Sequence, residues 1–247
     1  MALVEFNNVF LFKKNEKGQD IAILTGLSFS VEPGSVFALA GPSGSGKSSA
    51  LRLINRLDDS SSGQIFISGR EIKSWDIREL RAKIGFMFQD SALFEGSVME
   101  NILYGPCLRG LKKCNYESAA QGLMEMVGLP MELLHRNVES LSGGQKQRVN
   151  LARTLALDPE IILMDEPTSS LDPAAAGTIE KLIIELNQEG KTFIVISHDL
   201  DQIKRIAGSC VILDQGRVVF AGNPEELFKA EDVVNTLVNG KEKGTHA

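Results

Sequence analysis

The chain lacks most of what would tie it to a bilayer interior, a metal cluster or nucleic acid. It has no run approaching the ~18 apolar residues of a membrane span, so no transmembrane helix is expected. Its first residues, Met1-Ala2-Leu3-Val4-Glu5, lack the basic stretch and long apolar core of a secretory leader, which predicts a protein kept in the cytosol. The three cysteines, Cys107, Cys114 and Cys210, form neither a CxxC pair nor a zinc spacing, and so odd and sparse a set fits reduced thiols. Net charge is −6 and the lysines and arginines are scattered, which argues against a general nucleic-acid-binding surface. There is no internal repeat and no low-complexity segment. What is there is 247 residues, 43% of them hydrophobic, enough for one large α/β domain or two small ones with a sizeable core.

One stretch organises the rest: Gly41-Pro42-Ser43-Gly44-Ser45-Gly46-Lys47-Ser48-Ser49. The apolar run Val36–Ala40 before it reads as a buried strand, and after it Leu51, Ile54 and Leu57 fall on one helical face. Strand, glycine-rich loop and helix, in that order, are the setting of a phosphate-binding loop. Glycines let successive backbone N–H groups turn toward phosphate oxygens, and the helix start adds orphan N–H groups and a positive dipole end. Lys47 can then reach the β- and γ-phosphates, and the Ser48 hydroxyl can ligate Mg²⁺. A glycine-rich turn with a solvated lysine would have the same composition; the strand and helix on either side favour the phosphate loop.

In chain order, Val4–Val9 and Leu27–Val31 read as strands of an antiparallel layer, separated by a polar turn from Lys13 to Asp20. Phe10 and Phe12 lie in that layer, and an aromatic there could stack on adenine or simply pack in the β core. Gln64–Ser68 alternates as a strand, Asp76–Lys83 reads as a short helix, and Ile84–Phe88 is a buried strand that delivers Gln89 at its end. From about residue 92 to 140 no long strand is expected. Tyr104-Gly105-Pro106 and Gly128-Leu129-Pro130 punctuate helical segments such as Tyr116–Val127. Leu141-Ser142-Gly143-Gly144-Gln145 opens a helix with Ser142 as N-cap and Val149, Ala152, Leu155 and Ala156 on its apolar face. Ile161–Met164 is a buried strand ending in Asp165-Glu166, Asp172-Pro173 starts a helix, and Thr192–Ser197 is a strand ending at His198-Asp199. Asp214-Gln215-Gly216 is a hairpin turn, and a last helix runs from Pro224 to about Val238.

Four buried strands thus end in polar chemistry: the loop after Ala40, Gln89, Asp165-Glu166, and His198. Ligands of parallel α/β sheets sit at such strand ends. Asp165 is placed to hold Mg²⁺. Glu166, whose side chain points to the opposite face of the strand, cannot do the same job; it can orient and partly deprotonate an attacking water. Ser142-Gly143-Gly144 is a second anion-binding device at a helix start, or an ordinary N-cap with flexible glycines. Two such devices in one chain suggest two nucleotides, one of them across a dimer interface.

These residues resemble the ATP-binding subunits of ABC transporters: Gly41–Ser49, Gln89, Leu141–Gln145, Ile161–Glu166, Ser169-Ser170-Leu171-Asp172 and His198 all match in order, over roughly residues 3–230. The resemblance implies a P-loop NTPase of α/β class, with a RecA-like parallel core and β layer (1–90 and 158–240) and an inserted helical subdomain (91–157), all one ATPase domain. It implies ATP and Mg²⁺ as cofactors and a head-to-tail homodimer sandwiching two ATP molecules between the P-loop of one subunit and Ser142, Gly143, Gly144 and Gln145 of the other, with Asp172 reaching across. Glu166 would be the catalytic base, His198 the γ-phosphate clamp, Lys47 the phosphate cation, and Ser48, Gln89 and Asp165 the Mg²⁺ partners. The family usually stacks adenine on a tyrosine, for which Phe12 is the nearest candidate here. Ser170 stands where alanine is commoner, an expectedly tolerated departure.

The stretch Leu129–Val138 is similar to that of small freestanding ATPases of the iron-efflux and aluminium-tolerance type, and Tyr104-Gly105-Pro106 to phosphate importers. The cargo is therefore expected to be an inorganic ion. Separate transmembrane permease subunits would dock on residues 90–135 and hold the protein at the cytoplasmic face of the membrane, with a solute-binding protein if it is an importer. No nucleic-acid partner and no regulatory C-terminal domain are expected. The alternative, a DNA-repair or chromosome-maintenance ATPase with the same head, would need a coiled coil or zinc module between P-loop and signature, where only about 90 residues lie.

Overall fold

Residues 1–90, 92–110 and 116–230 are described by the computed structural model. The chain begins with two long strands, β1 (Val4–Lys14) and β2 (Asp20–Val31), paired antiparallel from Val4↔Val31 to Lys14↔Asp20. β3 (Val36–Ala40) is buried throughout and feeds the glycine loop and α1 (Lys47–Ile54). Next come β4 (Ser62–Ile67), the short β5 (Arg70–Glu71), α2 (Ile77–Lys83) and β6 (Ile84–Met87). Three helices follow: α3 (Val98–Leu108), α4 (Tyr116–Met126) and α5 (Gly143–Leu155). The chain then alternates β7 (Ile161–Asp165), α6 (Pro173–Gln188), β8 (Thr192–Ile196), α7 (Leu200–Ile206) and β9 (Ser209–Asp214), and closes with β10 (Arg217–Gly222) and α8 (Pro224–Leu227). The expected last helix stops at Leu227, capped by Phe228, rather than running on toward Val238; its expected remainder beyond Ala230, like Cys114, lies outside the described residues.

The strands form an antiparallel sheet in the order β2-β1-β4-β5 and a larger sheet in the order β10-β9-β3-β8-β7-β6. In the larger sheet β6, β7, β8, β3 and β9 run parallel, and only β10 is antiparallel. Alternation along its strands supplies two cores. From β7 and β8, Leu163, Ile194 and Ile196 pack with Phe6, Leu24, Leu27 and Leu51 between the two sheets. The intervening residues Ile162, Met164, Phe193 and Val195 face the other way, against Ile102, Met124, Val149 and Ile179 of the helices. This two-faced burial explains why these strands read as unbroken apolar runs.

Two local expectations are corrected. Leu57 does not continue the apolar face of α1: the helix ends with Asn55 as its cap, and Leu57 is exposed. Tyr104-Gly105-Pro106 does not interrupt a helix but lies inside α3. Pro106 is buried there, and Gly105 lets Leu157 approach to 3.0 Å of where a Cβ would stand, so packing outweighs the missing helical hydrogen bond.

Candidate active site

Close backbone contacts shape the phosphate loop. Gly41 leaves β3 at φ +144°, where a Cβ would stand 2.0 Å from the Leu213 carbonyl oxygen of β9. Gly46, the N-cap of α1, has φ +102°, and a Cβ there would meet Leu24 Cδ2 on β2 at 2.6 Å. The hairpin after β9 closes the loop from outside, the Gly216 N–H donating to the Ser45 carbonyl at 3.1 Å. The result is a cradle of backbone in front of a helix N-terminus, with the Ser45 hydroxyl buried inside it without a hydrogen-bond partner. Lys47, buried at the first turn of α1, donates to the carbonyls of Gly41 (2.9 Å) and Pro42 (2.8 Å). Burial holds its pKa below the ordinary lysine value, opposed by the carboxylates of Glu166 and Asp165.

Strand β7 brings those two carboxylates to the cradle. Asp165 is its last residue, buried and hydrogen-bonded to the Ser48 side chain; burial pushes its carboxyl pKa up, and Glu166 adds to the rise. Strand alternation would send Glu166 to the opposite face, but here the structure corrects the sequence reading. Glu166 has φ +51°, so β7 has already ended and the chain turns out of the sheet. Both carboxylates therefore lie within electrostatic reach of the Lys47 ammonium. Glu166 Oε1 is 2.8 Å from His198 Nε2, which follows β8, and Oε2 accepts from Gln89 Nε2 at 3.0 Å, just beyond β6. The Gln89 segment is itself held by α5: Asn150 Nδ2 donates to the Phe88 carbonyl (3.3 Å) and Arg153 to that of Ala92 (2.9 Å).

Ser142 caps α5 in a reciprocal box, accepting from the Gln145 N–H at 3.3 Å while Gln145 Oε1 accepts from the Ser142 N–H at 2.9 Å. Gly143 opens onto free space, and Gly144 lies against Leu171. Asp172 caps α6, its Oδ1 accepting from the Ala175 N–H at 2.9 Å. Phe12 is exposed on β1 and stacks on Phe10 with ring centroids 6.4 Å apart.

Residues 24–169 match the family model described as ABC transporter. Among curated proteins, Protein STAR1 of Oryza sativa subsp. japonica is 42% identical over 89% of this chain and 62% of its own length. The chain belongs to the ABC transporter family. The glutamine transport ATP-binding protein GlnQ of Escherichia coli is 36% identical over 92% of this chain and 94% of its own, and the phosphate import ATP-binding protein PstB of Borreliella burgdorferi 39% identical over 92% and 89%. A solved dimeric structure of the ATP-binding cassette MJ0796, in a post-hydrolysis state with ADP and Pi, superposes with a TM-score of 0.82 at 31% identity, covering 90% of this chain and 98% of that one. The fold is that of the P-loop NTPase cassettes, and the enzyme class is ATPase.

Within this ABC cassette the structure groups Lys47, Ser48, Gln89, Asp165, Glu166 and His198 at one end of the parallel sheet, whereas Phe12 stands on the antiparallel layer. The residues fit ATP and Mg²⁺: a glycine cradle with no room for a Cβ at Gly41 or Gly46, a buried cation, and one buried carboxylate joined to a hydroxyl. Mg²⁺ suits such a site, since it commonly takes one or two carboxylates beside substrate phosphates. Among the described residues no cluster of three or more His, Cys, Asp or Glu could hold a metal ion on its own. Sequence reasoning missed Gln147. It lies between Lys146 and Arg148 in a polar run that reads as a solvated face, yet it is buried, and its Nε2 donates to the Glu166 carbonyl at 3.1 Å.

Proposed function

We propose that this chain is the ATP-hydrolysing motor of a transporter whose membrane-spanning part resides in separate subunits. No helix among the described residues is long and apolar enough to cross a membrane. The observation that carries the mechanism is the double grip on Glu166 by His198 and Gln89 beside the Lys47 cradle. Loop N–H groups and Lys47 would hold the β- and γ-phosphates of ATP. Glu166 would orient the water that attacks the γ-phosphorus and accept its proton as ADP leaves. His198 would fix the carboxylate and face the γ-phosphate. Ser48, Asp165 and Gln89 would hold Mg²⁺, which supplies charge neutralisation on the phosphate oxygens. Phosphoryl transfer depends mainly on such positioning and charge stabilisation. Ser142, Gly143, Gly144 and Gln145 would close over the partner's ATP in a homodimer, with Asp172 at the interface and Phe12 under the adenine. The solved cassette relative is dimeric.

The test is Glu166→Gln. Steady-state hydrolysis should fall by two orders of magnitude or more, about the scale of losing a general base, while ATP binding persists. Turnover close to the parent rate would overturn the assignment.

For the cargo we infer an inorganic ion, handled at the cytoplasmic face of a membrane by permease subunits docked near residues 90–135. The phosphate-import relative supports this reading, while the glutamine relative names an amino acid. Membrane subunits identified by co-purification with the ATP-locked Glu166→Gln protein, then reconstituted in vesicles with the parent protein, should transport phosphate or a metal ion. Transport of an amino acid instead would sink the ion reading.

A further inference from the structure

Ser170 lies on the segment between β7 and α6, and its hydroxyl is engaged. Ser170 Oγ donates to Gln147 Oε1 at 2.5 Å, and Gln147 Nε2 donates to the Glu166 carbonyl oxygen at 3.1 Å. A hydroxyl on the segment before α6 is thus joined, through one buried amide on α5, to the backbone of the residue that carries the proposed base. Glu166 sits at φ +51°, a left-handed conformation that is costly for a residue with a side chain and persists only where its surroundings hold it. Three donors fasten its carbonyl: Gln147 Nε2, Ser169 Oγ at 3.1 Å and the Ser169 N–H at 3.3 Å. Of these only the Gln147 amide has two interchangeable ends. Flipped, it would point an oxygen at the Glu166 oxygen, an unfavourable contact of two acceptors.

We propose that Ser170 is a positioning residue for ATP hydrolysis: the acceptor-only Glu166 carbonyl sets which end of the Gln147 amide faces it, and Ser170, by bonding the other end, anchors that amide in place and so holds the left-handed turn that aims the carboxylate. Ser170 touches neither the carboxylate nor the cradle directly; it acts through Gln147. The same segment packs on the start of α5, since a Cβ on Gly144 would meet Leu171 at 3.1 Å. A displacement of α5 relative to β7 would therefore strain this relay, tying the aim of the base to the seating of the helix. Ser170 is itself exposed, so removing its hydroxyl opens no cavity and leaves the core unchanged.

The inference rests on Glu166 being the base, and the test separates the two. In the full-length protein, Ser170→Ala should lower kcat for ATP by about five-fold, the scale of one hydrogen bond, with KM and thermal stability little changed. Ser170→Thr keeps the hydroxyl and should restore kcat; a merely structural role for the loop predicts that Ser170→Ala lowers the melting temperature along with kcat. Parental kcat in Ser170→Ala, or no recovery in Ser170→Thr, overturns the proposal. Glu166→Gln measured alongside identifies which reading has failed. If it is inactive while Ser170→Ala is normal, only the relay is wrong; if it turns over normally, the assignment of Glu166 is wrong whatever Ser170 does.

Discussion

Asp165 is a carboxylate with 7% of its surface exposed, and burial keeps its pKa above the ordinary value of 3.8. Between 3.8 and the raised folded value the native state binds more protons than the unfolded chain. The stability this contributes is fully present below pH 3.8 and is lost as pH rises through the folded pKa. At neutral pH the ionised Asp165 therefore weakens the nucleotide-free fold. Asp165→Asn should raise the nucleotide-free melting temperature at pH 7. The gap should close toward pH 4, and Mg²⁺-dependent hydrolysis should be lost. A lower melting temperature at pH 7 would contradict this account. The identities of Asp165, Glu166, Gln89 and His198 were readable because each follows a run of apolar residues. Their geometry was not, because alternation holds only while the strand lasts, and β7 stops one residue short of Glu166.

At the scale of elements, the phosphate loop is a product of strand packing. Gly41 must lack a side chain because the Leu213 carbonyl of β9 would stand 2.0 Å from its Cβ. Gly41→Ala should displace the loop from β9, abolish ATP binding measured by equilibrium dialysis, and destabilise the protein by more than about 1 kcal/mol, since overpacking and a strained φ act together. Normal nucleotide affinity in that variant would show that the loop can be held without this contact. Capping was legible element by element. Ser142, Asp172 and Asp76 all accept backbone N–H groups at the starts of α5, α6 and α2, because short polar side chains before an apolar-periodic run have that local outlet. The ends were less so: a glycine–proline pair reads as a stop, yet α3 carries Gly105 and Pro106 through because burial against neighbouring side chains outweighs local propensity.

At the scale of the whole molecule, Gly143 points its missing Cβ at open space at the start of α5. An acidic side chain at that position suits a helix start and disturbs no contact within the chain. Gly143→Asp should therefore leave monomer stability and ATP binding intact, while repelling the phosphates that a partner would bring to this face. In the Glu166→Gln background, ATP should drive dimer formation seen by analytical ultracentrifugation, and adding Gly143→Asp should abolish it. A dimer that survives the substitution would mean that the second anion site does not meet a partner's nucleotide.

By itself the sequence determined the elements, the α/β class, the phosphate loop and the list of polar residues at strand ends, because these depend on local periodicity, glycine spacing and capping within a few residues. Only the tertiary structure decided that Asp165 and Glu166 share one end of the site, that Leu57 falls outside its helix, and that Gln147 and Ser170 form a relay to Glu166. Those outcomes depend on contacts between residues far apart in the chain. A left-handed turn, a buried amide and a hydroxyl 23 residues away acquire their meaning only when packing brings them together.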